Sequence, residues 1–363
     1  MLTPHARWQA ALHLEPVDRL PFWPKFDGAY LHAHGAALGA ASVVELHAFV
    51  GSDPHLGVGG CTRQLRTTTA FSTEGIGTER VQRYHTPAGD LQAVHRFDAA
   101  SQSWHPVEFP IKRVEDLATM TAWFADAQVA LDAEALDGAR EAVAGIGERA
   151  STMASLGESP LMYFVEWLAG VEGAHFFLAD APDAVETLFA AMHRVLRQEV
   201  ALAVAHHPAD LLYLVENTST TLISPAQYRA YCLPYLMDYA LLAQEAGRDL
   251  CLHMCGHLKA LLPDLATLPV RAFEAYTTPP VGNATLREGR LACPQVCLIG
   301  GTNATWWLEP AGAIIAHLEA ALAELPHQRG LVITSGGVMP PACAPETVRE
   351  VCRWVQTLGA RSS

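Results

Sequence analysis

Eight short apolar runs punctuate the chain, at residues 20–26, 54–58, 148–156, 210–216, 249–255, 270–276, 296–301 and 330–335, and each ends in polar residues or glycine. Between most of them the apolar residues recur at three- and four-residue steps, as in 182–206 and 225–246. That spacing predicts helices with one buried stripe. Strands alternating with helices need crossover connections and so form a parallel sheet. Eight such units point to closure as a (β/α)8 TIM barrel rather than an open sheet. The 363 residues suit one barrel domain, 1–363, with an extension.

Thr3-Pro4 ahead of His5–Leu14 predicts an N-terminal helix, with Thr as cap and Pro at the first helical position, stopped by Glu15-Pro16. The stretch 61–115 breaks the alternation. Its segments RQLRTTTAF, ERVQRYHT, LQAVHRFD and SQSWHPVEF read as extended, with a Pro-Ala-Gly-Asp turn at 87–90. This predicts a β-hairpin insertion after the second strand, covering part of one barrel mouth.

Half of the residues are hydrophobic, enough for a large core without staples. With 24 basic against 38 acidic side chains the formal charge is −14, and no basic stripe is present to neutralise phosphates, which argues against a nucleic-acid partner. No apolar run reaches the length of a membrane-spanning helix. The opening MLTPHARWQAALHLEP is too broken by His, Arg and Gln to read as a signal peptide. Eight cysteines are too sparse for a disulfide framework. A reduced, cytoplasmic protein is expected.

The segment from Asp249 to His257, DLCLHMCGH, alternates strictly. Leu250, Leu252 and Met254 share one face, and Cys251, His253 and Cys255 the other, which in a barrel strand points to the axis. Cys255 falls at the C-terminal end, where such barrels build their sites. His253 and Cys255 lie about 6–7 Å apart along the strand, so both can reach one metal ion. Soft sulfur with imidazole selects zinc. A catalytic zinc needs a third protein ligand, and Cys343, in the loop TSGGVMPPACAPE after the last strand, is the best candidate. Glu274, Tyr276 and Glu216 fall near the ends of their own strands; either carboxylate could be a fourth ligand or a substrate contact. Lys25 and Asp27 end the first strand, and an ion pair between them or a role in binding substrate are both open. Cys251, Cys293 and Cys297 read as core, as do Trp306 and Trp307. No G-x-S-x-G elbow, P-loop or dinucleotide fingerprint is present.

Several segments together carry a family resemblance: Arg7-Trp-Gln-Ala-Ala-Leu with Glu15-Pro-Val-Asp-Arg-Leu-Pro-Phe-Trp23, then Leu222-Ile-Ser-Pro-Ala-Gln-Tyr-Arg-Ala-Tyr-Cys-Leu-Pro-Tyr235, His253-Met-Cys-Gly256, and Ser335-Gly-Gly-Val-Met-Pro-Pro341 with Pro345-Glu346. The chain resembles the uroporphyrinogen decarboxylase superfamily. Within it, the resemblance is to the zinc-dependent corrinoid methyltransferases similar to methylcobamide:coenzyme M methyltransferase. The arginine-containing stretch that binds substrate carboxylates in the decarboxylases corresponds to Pro24-Lys-Phe-Asp-Gly-Ala-Tyr30, which has no arginine. The resemblance assigns His253 and Cys255 to the first two zinc ligands of the methyltransferases. The position of the third, a cysteine in the family, corresponds to Gly337, so Cys343 would have to substitute. The related cobalamin-independent methionine synthases use a glutamate on the next strand, which keeps Glu274 among the ligands.

The expectation is a methyltransferase in which zinc on His253, Cys255 and Cys343 lowers the pKa of a thiol acceptor. Its sulfur would attack a methyl group carried by a corrinoid, on a partner protein docked over the mouth, with Glu216 and Asn303 lining the pocket. Two alternatives stand beside it. One is a metal-free lyase acting on a carboxylate substrate, and the other a non-catalytic barrel that binds a corrinoid.

Overall fold

The computed structural model describes residues 1–359. Eight parallel strands form the central sheet: β1 (Phe22–Trp23), β2 (His55–Gly57), β9 (Ser151–Gly157), β10 (Leu211–Val215), β11 (Asp249–His253), β12 (Ala272–Tyr276), β13 (Cys297–Gly300) and β14 (Leu331–Thr334). Their order is β1-β14-β13-β12-β11-β10-β9-β2, an α/β barrel of the TIM type, with each strand near one of the eight apolar runs. No ladder joins β1 to β2. At that seam Asp53 does the work: its backbone N–H donates to the Phe22 carbonyl at 2.8 Å and its carboxylate accepts from the Phe22 N–H at 3.1 Å. Arg7 and Arg19 hold the same buried carboxylate.

Alternation along each strand sorts the core into two layers. Leu212, Leu214, Leu250, Leu252, Phe273, Leu298 and Ile333 face the surrounding helices. Tyr213, Cys251, Ala272, Cys297, Ile299 and Val332 fill the lumen together with Trp8, Ala11 and Leu12. These last three come from the helix Pro4–Leu12, capped by the Thr3 side chain with Pro at its first turn. That helix stoppers the N-terminal end of the barrel, where His13 meets Asp249 and His5 meets Asp210 at the strand starts. The opposite, C-terminal end remains for chemistry.

After β2 the chain leaves the barrel. β4 (Ala70–Ile76), β5 (Glu79–Thr86), β6 (Gly89–Asp98) and β7 (Ser103–Glu108) form an antiparallel meander. β3 (Thr62–Leu65) pairs instead with β8 (Gln128–Leu131), so this part of the structure runs on past residue 115 through the helix Val114–Asp126. Among the described residues no single helix is long and apolar enough to cross a membrane.

Candidate active site at the strand ends

Register decides which side chains meet. His253 is opposite Val215 of β10 on one side and Glu274 of β12 on the other. Adjacent parallel strands lie about 4.8 Å apart, so two inward side chains at one level touch. His253 Nδ1 hydrogen-bonds Glu274 Oε2. Lys25 arrives from the loop after β1, three strands away in the sheet order. Its Nζ lies 3.2 Å from both oxygens of Glu274 and 3.4 Å from His253 Nδ1. The Lys25 backbone is held by Ser335 Oγ, which accepts its N–H at 3.1 Å, and by the Met339 N–H, which donates to its carbonyl at 2.9 Å.

Burial sharpens these charges. Glu274 is 1% exposed and the His253 side chain 12%. Burial would raise the Glu274 carboxyl, but Lys25 and His253 overcome it and bring it down to about 2. Burial would lower the His253 imidazole, but Glu274 and the Cys255 thiol overcome it and raise it to about 9. At neutral pH two cations therefore share one carboxylate, a cluster with one net positive charge.

Beyond the strand, Cys255 is exposed, and its thiol lies 3.3 Å from Asn217 Oδ1. Gly256 follows because a Cβ there would lie 2.5 Å from the Ser219 side chain. Asn217 adopts a left-handed backbone, φ 44°, which Asn tolerates better than most residues. Its N–H donates to the His253 carbonyl at 3.0 Å and its Nδ2 to Glu166 Oε2 at 2.9 Å. Glu166 sits on the π-helical turn Phe164–Leu168, a geometry frequent at functional sites. Burial raises its carboxyl to about 7, with the Asn217 bond working against the rise. Burial and the charge of Glu166 raise Glu158 to about 8. Glu158, Glu166 and Asn217 carry no motif in the sequence; the segment after β9 brings the two carboxylates to the mouth, and the loop after β10 brings Asn217.

Other residues expected at the site take different roles. Asp27 does not pair with Lys25; its side chain caps the helix Gly28–Leu38 by accepting the Tyr30 N–H at 2.9 Å. Glu216 is wholly buried, accepts the Ser159 N–H and hydroxyl at 2.6 Å each, and is raised by burial to about 7. Asn303, also wholly buried, organises a turn: its Oδ1 accepts from Thr305 and Trp306, and its Nδ2 donates to the Pro279 carbonyl. Tyr276 should share the inward face with Glu274, two residues earlier. A bulge intervenes instead: the ladder to β13 shifts register between them, with Ala275 at φ 55°. Tyr276 therefore turns into the outer core, where its hydroxyl donates to the Thr285 carbonyl.

Cys343 is likewise in the outer core, 2% exposed, its thiol facing the Ala344 carbonyl and pushed up to about 12 by burial. It does not join His253. Among the described residues, no three His, Cys, Asp or Glu side chains gather as a metal-holding group. Cys251, Cys293 and Cys297 are buried, as is Trp307.

Residues 107–358 match the family described as Uroporphyrinogen decarboxylase (URO-D). No curated protein matches the chain. Among solved structures, a methyltransferase from Methanosarcina mazei is similar over 98% of this chain and 98% of its own, with a TM-score of 0.61 and 16% identity. A B12-independent methionine synthase from a Shewanella species aligns over 70% of this chain and 71% of its own, at 12% identity and a TM-score of 0.45. A putative vitamin-B12 independent methionine synthase from Listeria monocytogenes aligns over 94% and 96%, at 12% identity and a TM-score of 0.41. At such identities the likeness is one of fold.

Proposed function

The chain belongs to the uroporphyrinogen decarboxylase family, and on that premise we propose that it is a methyltransferase, moving a methyl group between a corrinoid, carried on a partner protein docked over the barrel mouth, and a thiol acceptor. The observation that carries this reading is the Lys25–Glu274–His253 cluster beside the exposed Cys255. The fold shared with a protein named as a methyltransferase supports it.

The site residues act through charge. One net positive charge, partly withdrawn from water, stabilises an acceptor held as thiolate. The proton released by the thiol passes to Glu166, whose Oε1 has no partner and whose carboxyl is raised by burial to about 7. The acceptor sulfur forms its bond to carbon as the bond between methyl and donor breaks, and the donor keeps both electrons. The expected zinc does not fit the donor set as it stands, because Cys343 lies in the outer core, Gly337 offers no side-chain donor, and the Lys25 ammonium sits against both oxygens of Glu274.

The test is direct. Purified protein is incubated with methylcobalamin and a small thiol, and demethylation is followed in the visible spectrum with mass detection of the methyl thioether. Lys25→Ala and His253→Ala should each slow transfer by about 100-fold; no thioether from any thiol would sink the reading.

Lys25 itself favours a second reading, a metal-free lyase whose ammonium grips a substrate carboxylate, since that side chain is 21% exposed at the mouth. Against it, Glu274 already answers that charge, and Glu158 and Glu166 line the same region. Carbon dioxide release from a carboxylate substrate, abolished in Lys25→Ala, would favour the lyase.

A further inference from the structure

We propose that the Lys25 ammonium is the resident cation of this mouth, standing where the family resemblance leads one to expect zinc, so that the wild-type site holds no metal ion. The argument is geometric. Nζ is equidistant, at 3.2 Å, from the two oxygens of Glu274 and 3.4 Å from His253 Nδ1, so it occupies the point on which the expected oxygen and nitrogen donors converge. The ammonium and the imidazole nitrogen meet the same carboxylate, so Glu274 is already occupied from two sides.

The placement is built into the fold. The Lys25 backbone is fixed on both sides, through Ser335 Oγ and the Met339 N–H, and its ammonium lies 5.6 Å from the centre of the Trp23 ring. A zinc ion could reach Glu274 only by displacing this ammonium, because two like charges a few ångströms apart repel strongly in a buried setting.

The remaining donors do not offset that cost. The Cys255 thiol lies between Asn217 and the His253 imidazole, but Cys343, the expected third ligand, is in the outer core. Gly337, which the resemblance equates with a cysteine ligand, carries no donor, although a Cβ there would meet nothing within 4 Å. Room for a ligand exists at that point; the ligand does not. A tethered ammonium gives a fixed single positive charge with three donors and no exchangeable coordination position, so this site acts on anions by charge and hydrogen bonding.

The inference concerns the resident cation alone and stands whether or not methyl transfer is the reaction. Cys255 is the exposed one of eight free cysteines, so its reaction with a chromogenic disulfide reagent reports on the mouth. In the full-length wild-type protein, excess zinc should leave that rate within about twofold, and the gel-filtered protein should retain less than about 0.1 equivalent of zinc. Slowing of about tenfold or more, with about one equivalent retained and lost in His253→Ala, overturns the proposal. In Lys25→Met, zinc should slow Cys255 modification by about tenfold, because His253, Cys255 and Glu274 are then free to converge. A folded Lys25→Met protein that stays indifferent to zinc also overturns it. If that variant does not fold, the wild-type measurement decides by itself.

Discussion

Glu274 stands directly across the ladder from His253, and the same carboxylate is shared with Lys25 from the far side of the lumen. Three elements distant in sequence are thereby tied at one buried anion. Glu274→Ala leaves the Lys25 ammonium and the buried His253 imidazole without the carboxylate that answers them. Urea denaturation should show a loss of about 3–5 kcal/mol, whereas Lys25→Ala, at a more exposed position, should cost about 1–3 kcal/mol.

Asp53 closes the barrel seam and is wholly buried between Arg7 and Arg19. Asp53→Ala removes the acceptor for two guanidinium groups and for the Phe22 N–H. A loss of about 3–5 kcal/mol is expected, with early amide exchange at Phe22 and Trp23 as the local signature.

Asn217→Gly separates backbone from side chain. Glycine accepts the left-handed conformation, so stability should change by less than about 1 kcal/mol. The bridge between Cys255 and Glu166 is lost, and the methyl-transfer rate should fall by about tenfold or more. An unchanged rate would remove Asn217 from the site.

Tyr276→Phe should cost about 1 kcal/mol through the lost bond to the Thr285 carbonyl and leave turnover untouched. A drop in turnover at unchanged stability would return this residue to the pocket.

His55 is 3% exposed and stacked on Trp8 at 4.5 Å; burial brings its pKa down to about 4. Burial brings His47 down to about 3. Both stay neutral in the folded chain while the unfolded chain takes up their protons below about pH 6.5. Their contribution to stability is therefore full above that pH and lost as pH falls toward 4, at about 1.4 kcal/mol per pH unit for each. His55→Phe keeps the stacking and should remove one proton's share of that slope, measured by denaturation between pH 7 and 4.5.

The barrel was legible because each strand carries its own signal, as Leu250 and Leu252 against Cys251 and His253 illustrate. His253 and Cys255 were legible for the same reason. What the chain does not display is lateral register. Nothing local to Lys25 indicates that it crosses the lumen to Glu274 instead of pairing with Asp27 two residues away. Tyr276 falls at the end of its strand as expected, but position along a strand does not reveal the bulge at Ala275, which turns its side chain to the outer core. Glu166 comes to the mouth on a π-helical turn that has no signature in composition or spacing, and Glu158 in the loop that directly follows β9.

Trp8 and its helix turn the barrel into a cul-de-sac. Whatever reaches His253 enters by the strands' far doorway and must retrace that route to leave. Entry and exit thus share one corridor, and a small molecule seated deep at the strand ends can leave only after whatever lies above it in the doorway has moved aside.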